Sequence, residues 1–225
     1  MTQRAGGYLF LLGLACGLAI LPLTAYARLT PRWVRWLLMA AGSLVVGRYV
    51  ALAGFALADQ PSHVWGLRYL WFGSAVGLTL PAVFAVDALI RHPAMTPKKL
   101  LLRFSPFLIA YAALILVGDS HPVPDRIAGW AVSLGPGWRL FAAAVQGVFV
   151  AGFVVLCLML ARKLPVPAIQ TALLVLTAAY LYLGADGVLV ASGGWYFRPF
   201  LYSEMAASLA LWYAFQTAAA LQTGS

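Results

Sequence analysis

The chain has 225 residues, 63% of them hydrophobic and only 9% charged, with a mean hydropathy of +0.89. Soluble domains are about half apolar and about one-quarter charged, so a water-soluble globule is excluded. Lys and Arg number 15 against 6 Asp and Glu, a formal charge of +9; these charges fall between long apolar runs, which points to loop charges orienting membrane helices and not to nucleic acid.

A helix needs about 20 mostly apolar residues to span a bilayer. Seven stretches qualify, at about 7–27, 36–58, 67–90, 101–118, 138–161, 168–192 and 199–221. The runs are continuous and do not alternate as barrel strands do, so an all-α membrane protein is expected, a single seven-helix bundle covering 1–225. The first stretch imitates a signal peptide, ending in Ala25-Tyr26-Ala27, but Arg28, Arg32 and Arg35 follow it closely and one Arg precedes it. That bias predicts a retained helix with its N-terminus outside. Breakers sit at Pro31, Pro61, Pro93 with Pro97, Pro122 with Pro124, Pro165 with Pro167, and Gly193-Gly194. The odd loops hold nine basic residues (Arg28, Arg32, Arg35, Arg91, Lys98, Lys99, Arg103, Arg162, Lys163). The N-terminus and even loops hold five (Arg4, Arg68, Arg126, Arg139, Arg198). The odd loops and the C-terminus are therefore expected in the cytoplasm of a bacterial-type inner membrane. The longest loop, 119–137, is expected to carry a short amphipathic helix around Arg126–Ser133.

Small residues repeat every fourth position at Ser43/Gly47, Gly73/Gly77 and Ala143/Gly147/Ala151, the spacing that lets helices approach closely within the bundle or in a homo-oligomer. Pro81 is expected to kink its helix or free a carbonyl. Cys16 and Cys157 sit in apolar runs and read as unlinked, packed thiols. Trp33, Trp36, Trp65, Trp71, Trp195 and Tyr196 lie near helix ends, as interface belts do.

A charge inside the bilayer is costly, about 2.5–3.5 kcal/mol on the lenient insertion scale. Arg48 falls near the middle of the second stretch, roughly 15 Å deep at 1.5 Å per residue, with Asp186 at about 9 Å and Glu204 at about 8 Å. Arg48 is expected to face the bundle interior and pair with Asp186, Glu204 or both. Tyr182 lies one turn before Asp186, Ser208 and Gln216 follow on the Glu204 stripe, and Gln146 has similar depth. Arg48, Asp186, Glu204, Tyr182, Gln146 and Ser208 are thus the candidate ligand-binding residues of a polar cavity open to the outside. The same residues would serve as a buried salt-bridge cluster that fixes helix register and binds nothing. Asp87 reads as an interfacial i,i+4 partner of Arg91.

No Lys lies inside a predicted helix, which removes the buried amine that a retinal Schiff base requires. His63, His92 and His121 are dispersed over different loops, which disfavours intramembrane haem ligation and a clustered zinc site. Walker and dinucleotide fingerprints are absent from the sequence. No catalytic residue, metal site or cofactor is assigned.

Leu67-Arg68-Tyr69-Leu70-Trp71, Leu80-Pro81-Ala82-Val83-Phe84-Ala85-Val86-Asp87, Arg91-His92-Pro93 and the basic stretch Lys98–Phe104 with Pro106 resemble the N-terminal seven-helix sensor region of bacterial membrane histidine kinases, mainly over residues 36–118. The resemblance implies an N-outside seven-helix sensor and transfers no catalytic residues. Such sensors feed a cytoplasmic output domain, whereas this chain closes soon after the seventh stretch, so the resemblance implies either an output in a separate membrane or cytoplasmic partner or a module turned to another use. The expectation is a non-enzymatic sensor or ligand-binding module; the alternatives are an accessory subunit of a larger membrane complex and a small carrier protonated at Asp186 or Glu204.

Overall fold

Prolines mark where several helices begin. Pro97, Pro136 and Pro167 each occupy the first helical turn, where the missing N–H is not needed and the fixed φ suits a helix. The sequence expected these prolines in connecting segments, so the helices they open start one to four residues earlier than expected, roughly one turn or less. The computed structural model describes residues 3–29, 31–92, 95–125, 127, 129–192 and 200–223. Within them lie α1 (Gln3–Tyr26), α2 (Arg32–Leu57), a short α3 (Arg68–Trp71), α4 (Gly73–Ile90), α5 (Pro97–Leu116), α6 (Pro136–Lys163), α7 (Pro167–Ala191) and α8 (Leu201–Thr223). Pro93, Arg126, Gly193, Gly194, Trp195, Tyr196 and Arg198 lie outside the described residues.

Six segments are long and apolar enough to cross a membrane: Gly6–Tyr26, Arg32–Leu57, Trp65–Ile90, Pro97–Leu116, Pro136–Lys163 and Pro167–Val190. Helix α8 is not among them, because Ser203, Glu204, Ser208 and Gln216 dilute its apolar content. The chain is a helical bundle of the multi-pass membrane type.

Successive long helices are neighbours, and α8 returns against α1. Helix α4 is the hub, touching α2, α5, α6, α7 and α8. Its closest approach is to α2. A Cβ on Gly73 would strike the Leu44 carbonyl, and one on Gly77 would lie 2.6 Å from the Ala41 carbonyl. This small-residue pair therefore acts within the chain as a backbone-to-backbone contact.

The third expected helix is broken at Phe72 (φ −93°, ψ 10°) rather than at Pro81. Ala75 N–H turns back to the Phe72 carbonyl at 3.0 Å, a tighter i→i+3 bond. The Trp71 carbonyl is thereby left without its helical donor. Pro81 lies inside a continuous α4, and the carbonyl three residues before it, on Leu78, accepts the Tyr180 O–H at 2.6 Å.

Two further expectations are corrected. The 119–137 loop contains a two-stranded antiparallel hairpin, β1 (Ser120–Pro124) and β2 (Trp130–Leu134), in place of an amphipathic helix; Pro122 pairs with Val132 and Pro124 with Trp130. Prolines two residues apart strip the donors from one edge of β1, which an edge strand tolerates, and the residues Trp130–Leu134, expected largely within the helix, extend against its other edge. The Asp125 carboxylate accepts the Ile127 N–H at 3.1 Å within the turn, and Gly129 adopts φ +62° against the carbonyls of Phe55 and Ala56 at the end of α2. Trp130 Nε1–H donates to the Asp59 carbonyl at 3.3 Å, which pins the hairpin over that end of the bundle. Asp87 and Arg91, expected as an ion pair, form none. Arg91 ends α4 in the left-handed conformation (φ 50°), its N–H on the Asp87 carbonyl at 2.8 Å, and leaving the helical path breaks the i,i+4 geometry.

Candidate functional site

The helix break at Phe72 and the charge at Arg48 answer each other. The Arg48 side chain is buried on α2 and donates from Nε to the Glu204 carboxylate at 3.0 Å. Its Nη1 donates to the orphaned Trp71 carbonyl, and its guanidinium lies 5.9 Å from the Trp71 ring centroid. Glu204, in the first turn of α8, also accepts the Tyr49 O–H at 3.3 Å. A carboxylate there is favoured both by the cation and by the positive end of the α8 dipole. Trp71, read from the sequence as an interface residue, belongs to this cluster, its ring edge-on to Phe55 at 5.5 Å.

Arg48 and Glu204 form part of the wall of a cavity of about 640 Å³ between α4, α5, α6, α7 and α8. Strand β2 covers it through Val132, Ser133 and Leu134. Its walls are mostly apolar, with Leu78, Leu114, Ala143 and Leu183 prominent. Gln146 faces in from α6, its Oε1 accepting the Tyr111 O–H of α5 at 2.9 Å. Arg139 stands at the rim and donates to Ser133 Oγ at 3.4 Å and to the Leu134 carbonyl at 3.3 Å, tying α6 to the hairpin. On the other side an aromatic cluster of Phe104, Phe107, Phe149, Phe153 and Tyr180 joins α5, α6 and α7.

Of the six residues the sequence singled out, the structure brings Arg48, Glu204 and Gln146 to one cavity. Asp186 is buried but does not line it and does not pair with Arg48. Its carboxylate accepts the Phe200 N–H at 3.0 Å and the Ser203 O–H at 2.5 Å, so it caps the start of α8 from a neighbouring helix. Equal depth brought Asp186 to the right level, but α8 starts beside it and claims it first. Ser208 is buried one turn beyond Glu204, off the cavity wall. Tyr182 is 41% exposed and turned away, because the cavity face of α7 follows a different stripe through Leu183, Gly184 and Gly187.

Sequence reasoning missed Tyr49, Tyr111, Arg139, the Trp71 carbonyl and the hairpin cover. Tyr49 follows Arg48 directly and Tyr111 is a hydroxyl inside an apolar run, both visible as polar atoms needing partners. The Trp71 carbonyl had no residue-type signal at all. No protein-family model matches the chain and no curated protein matches it in sequence, so the site is defined by its own geometry.

Proposed function

We propose that this protein is a ligand-binding sensor module of a bacterial inner membrane, non-enzymatic, that acts through a partner protein. In this reading α8 is a seventh span, the N-terminus and the hairpin face outward, and the C-terminus faces the cytoplasm, as the basic bias of the odd loops favours. The observation that carries the reading is the cavity beneath the hairpin. Its volume lies within the about 300–1,000 Å³ typical of small-molecule sites, and apolar walls with a few convergent polar groups are the usual make-up of such sites. An occupant that favours one arrangement of α8 against α2 over another would shift the helix ends on the far side of the membrane.

The test is native mass spectrometry of the protein released directly from membranes. The expected result is a retained small molecule, present in wild type and lost in Ala143→Phe, which fills the cavity from α6. An unliganded spectrum, together with no candidate molecule raising the melting temperature, would overturn the reading.

A further inference from the structure

The cavity's hydrogen-bonding groups are unbalanced, and the imbalance selects the ligand. Arg48 carries five N–H donors. Its Nε is taken by Glu204 and its Nη1 reaches Trp71, while Nη2 has no acceptor among the described residues. Gln146 accepts from Tyr111 through its oxygen, and its amide nitrogen likewise has no described acceptor. Neither nitrogen is sealed away from accessible space, since among the described residues the one buried side-chain polar atom lacking a partner is Arg35 Nε. Both residues line the cavity, so unspent donors converge there from α2 and α6. The nearby acceptors are already engaged: Glu204 by Arg48 and Tyr49, and the Gln146 oxygen by Tyr111.

A ligand must therefore bring acceptors. At the Arg48 end of the cavity the Glu204 carboxylate repels an anionic head and already neutralises the guanidinium, while Arg139, the other cation on the wall, is tied at the rim to Ser133 and the Leu134 carbonyl, so beside Arg48 and Gln146 a neutral oxygen is the better match. At roughly 30 Å³ per water-sized group, about 640 Å³ admits about 20 heavy atoms, enough for one chain or ring with a small head.

The cavity reaches the outer apolar surface at the α6–α7 seam. Helices α6 and α7 touch where a Cβ on Gly184 would meet Val150 Cγ1 at 2.9 Å. Three residues further along each helix, towards the hairpin, stand Gly147 and Gly187, and apart from their chain neighbours and their own helix backbone no described atom lies within 4 Å of where their Cβ atoms would be. Gly147 and Val188 line the cavity and are also exposed, Val188 at 71%. Leu140 and Val148 of α6 and Leu189 of α7 are exposed on the same stretches of these helices, a surface that a bilayer covers and water does not.

Resting on the ligand-binding reading above, we propose that the cavity takes a neutral, carbonyl-headed single-chain lipid from the bilayer through the α6–α7 seam, its oxygen held by Arg48 Nη2 and the Gln146 amide. The test measures saturable binding of three probes that share an undecyl tail, undecyl methyl ketone, dodecanoate and dodecane, to the full chain in nanodiscs. It compares wild type with Gln146→Leu, Gly147→Leu and Gly187→Leu; the glycine variants fill open space, and a retained elution profile verifies their fold. The ketone is expected to bind at least tenfold more tightly than the other two. Gln146→Leu should weaken it about three- to tenfold, the loss of one hydrogen bond, without altering dodecane, and either glycine variant should abolish it. Dodecanoate binding best, or ketone and dodecane binding equally with the glycine variants still blocking, would overturn the head-group assignment while leaving the cavity a ligand site. No saturable probe, or binding indifferent to both glycine variants, would overturn both.

Discussion

Arg48 and Glu204 form a buried pair, and pairs of this kind are strongly destabilised when one partner is removed alone. Breaking such a pair leaves an uncompensated charge at a cost of about 3–5 kcal/mol, whereas replacing both partners by apolar groups is often close to neutral. Thermal or denaturant unfolding in detergent should therefore rank Arg48→Leu and Glu204→Leu as far less stable than the double variant. Additive losses would mean that the two side chains do not depend on each other. Asp186 behaves differently. Its carboxylate holds Phe200 N–H and Ser203 O–H at the start of α8, so Asp186→Ala should cost about 1–2 kcal/mol, the usual loss of a cap, and should leave ligand affinity unchanged. An affinity loss as large as that of Gln146→Leu would return Asp186 to the binding site. The sequence made Arg48 legible, because a mid-bilayer guanidinium demands a carboxylate. It could not rank the two acids, since depth along an axis says nothing of rotation about it.

Small residues do opposite things on different helices. Gly73 and Gly77 press α4 onto α2, while Gly147 and Gly187 face open space. Gly77→Val should destabilise the bundle by about 1–3 kcal/mol or more, the usual range for overpacking, and Gly147→Leu should leave the melting temperature nearly unchanged. Equal effects would remove the distinction between a packing stripe and a portal. The two stripes look alike in sequence because spacing identifies a smooth helix face and not what covers it. The hairpin was illegible for a related reason. Val123, Ala131 and Val132 around a polar turn fit a half-buried strand and a short amphipathic helix alike, and it is the pairing of Trp130–Leu134 with Ser120–Pro124 that decides for the strand. The long apolar helices, by contrast, could be read directly, apart from their proline-led first turns.

For the whole molecule, the reading requires seven spans with the hairpin outside. Single cysteines placed at Ser120 and at Lys98, in a background lacking Cys16 and Cys157, should react with an impermeant thiol reagent from opposite sides of intact cells, Ser120 from outside. Labelling of both from one side would contradict the topology. The number of long helices was legible, but whether α8 crosses depends on partners for its polar residues, which hydropathy does not count. Glu204, Ser203 and Ser208 weaken α8 as an isolated span, yet all three are buried in the bundle.

The most direct measurement is an experimental structure of the protein in a lipid nanodisc, determined without detergent extraction. The account predicts that the Arg48 guanidinium meets Glu204 and the Trp71 carbonyl at the wall of an occupied cavity, with ligand density reaching Gln146 and leaving between Gly147 and Gly187. A guanidinium turned toward lipid, or α6 and α7 closed on each other with side chains filling the space between them, would contradict it.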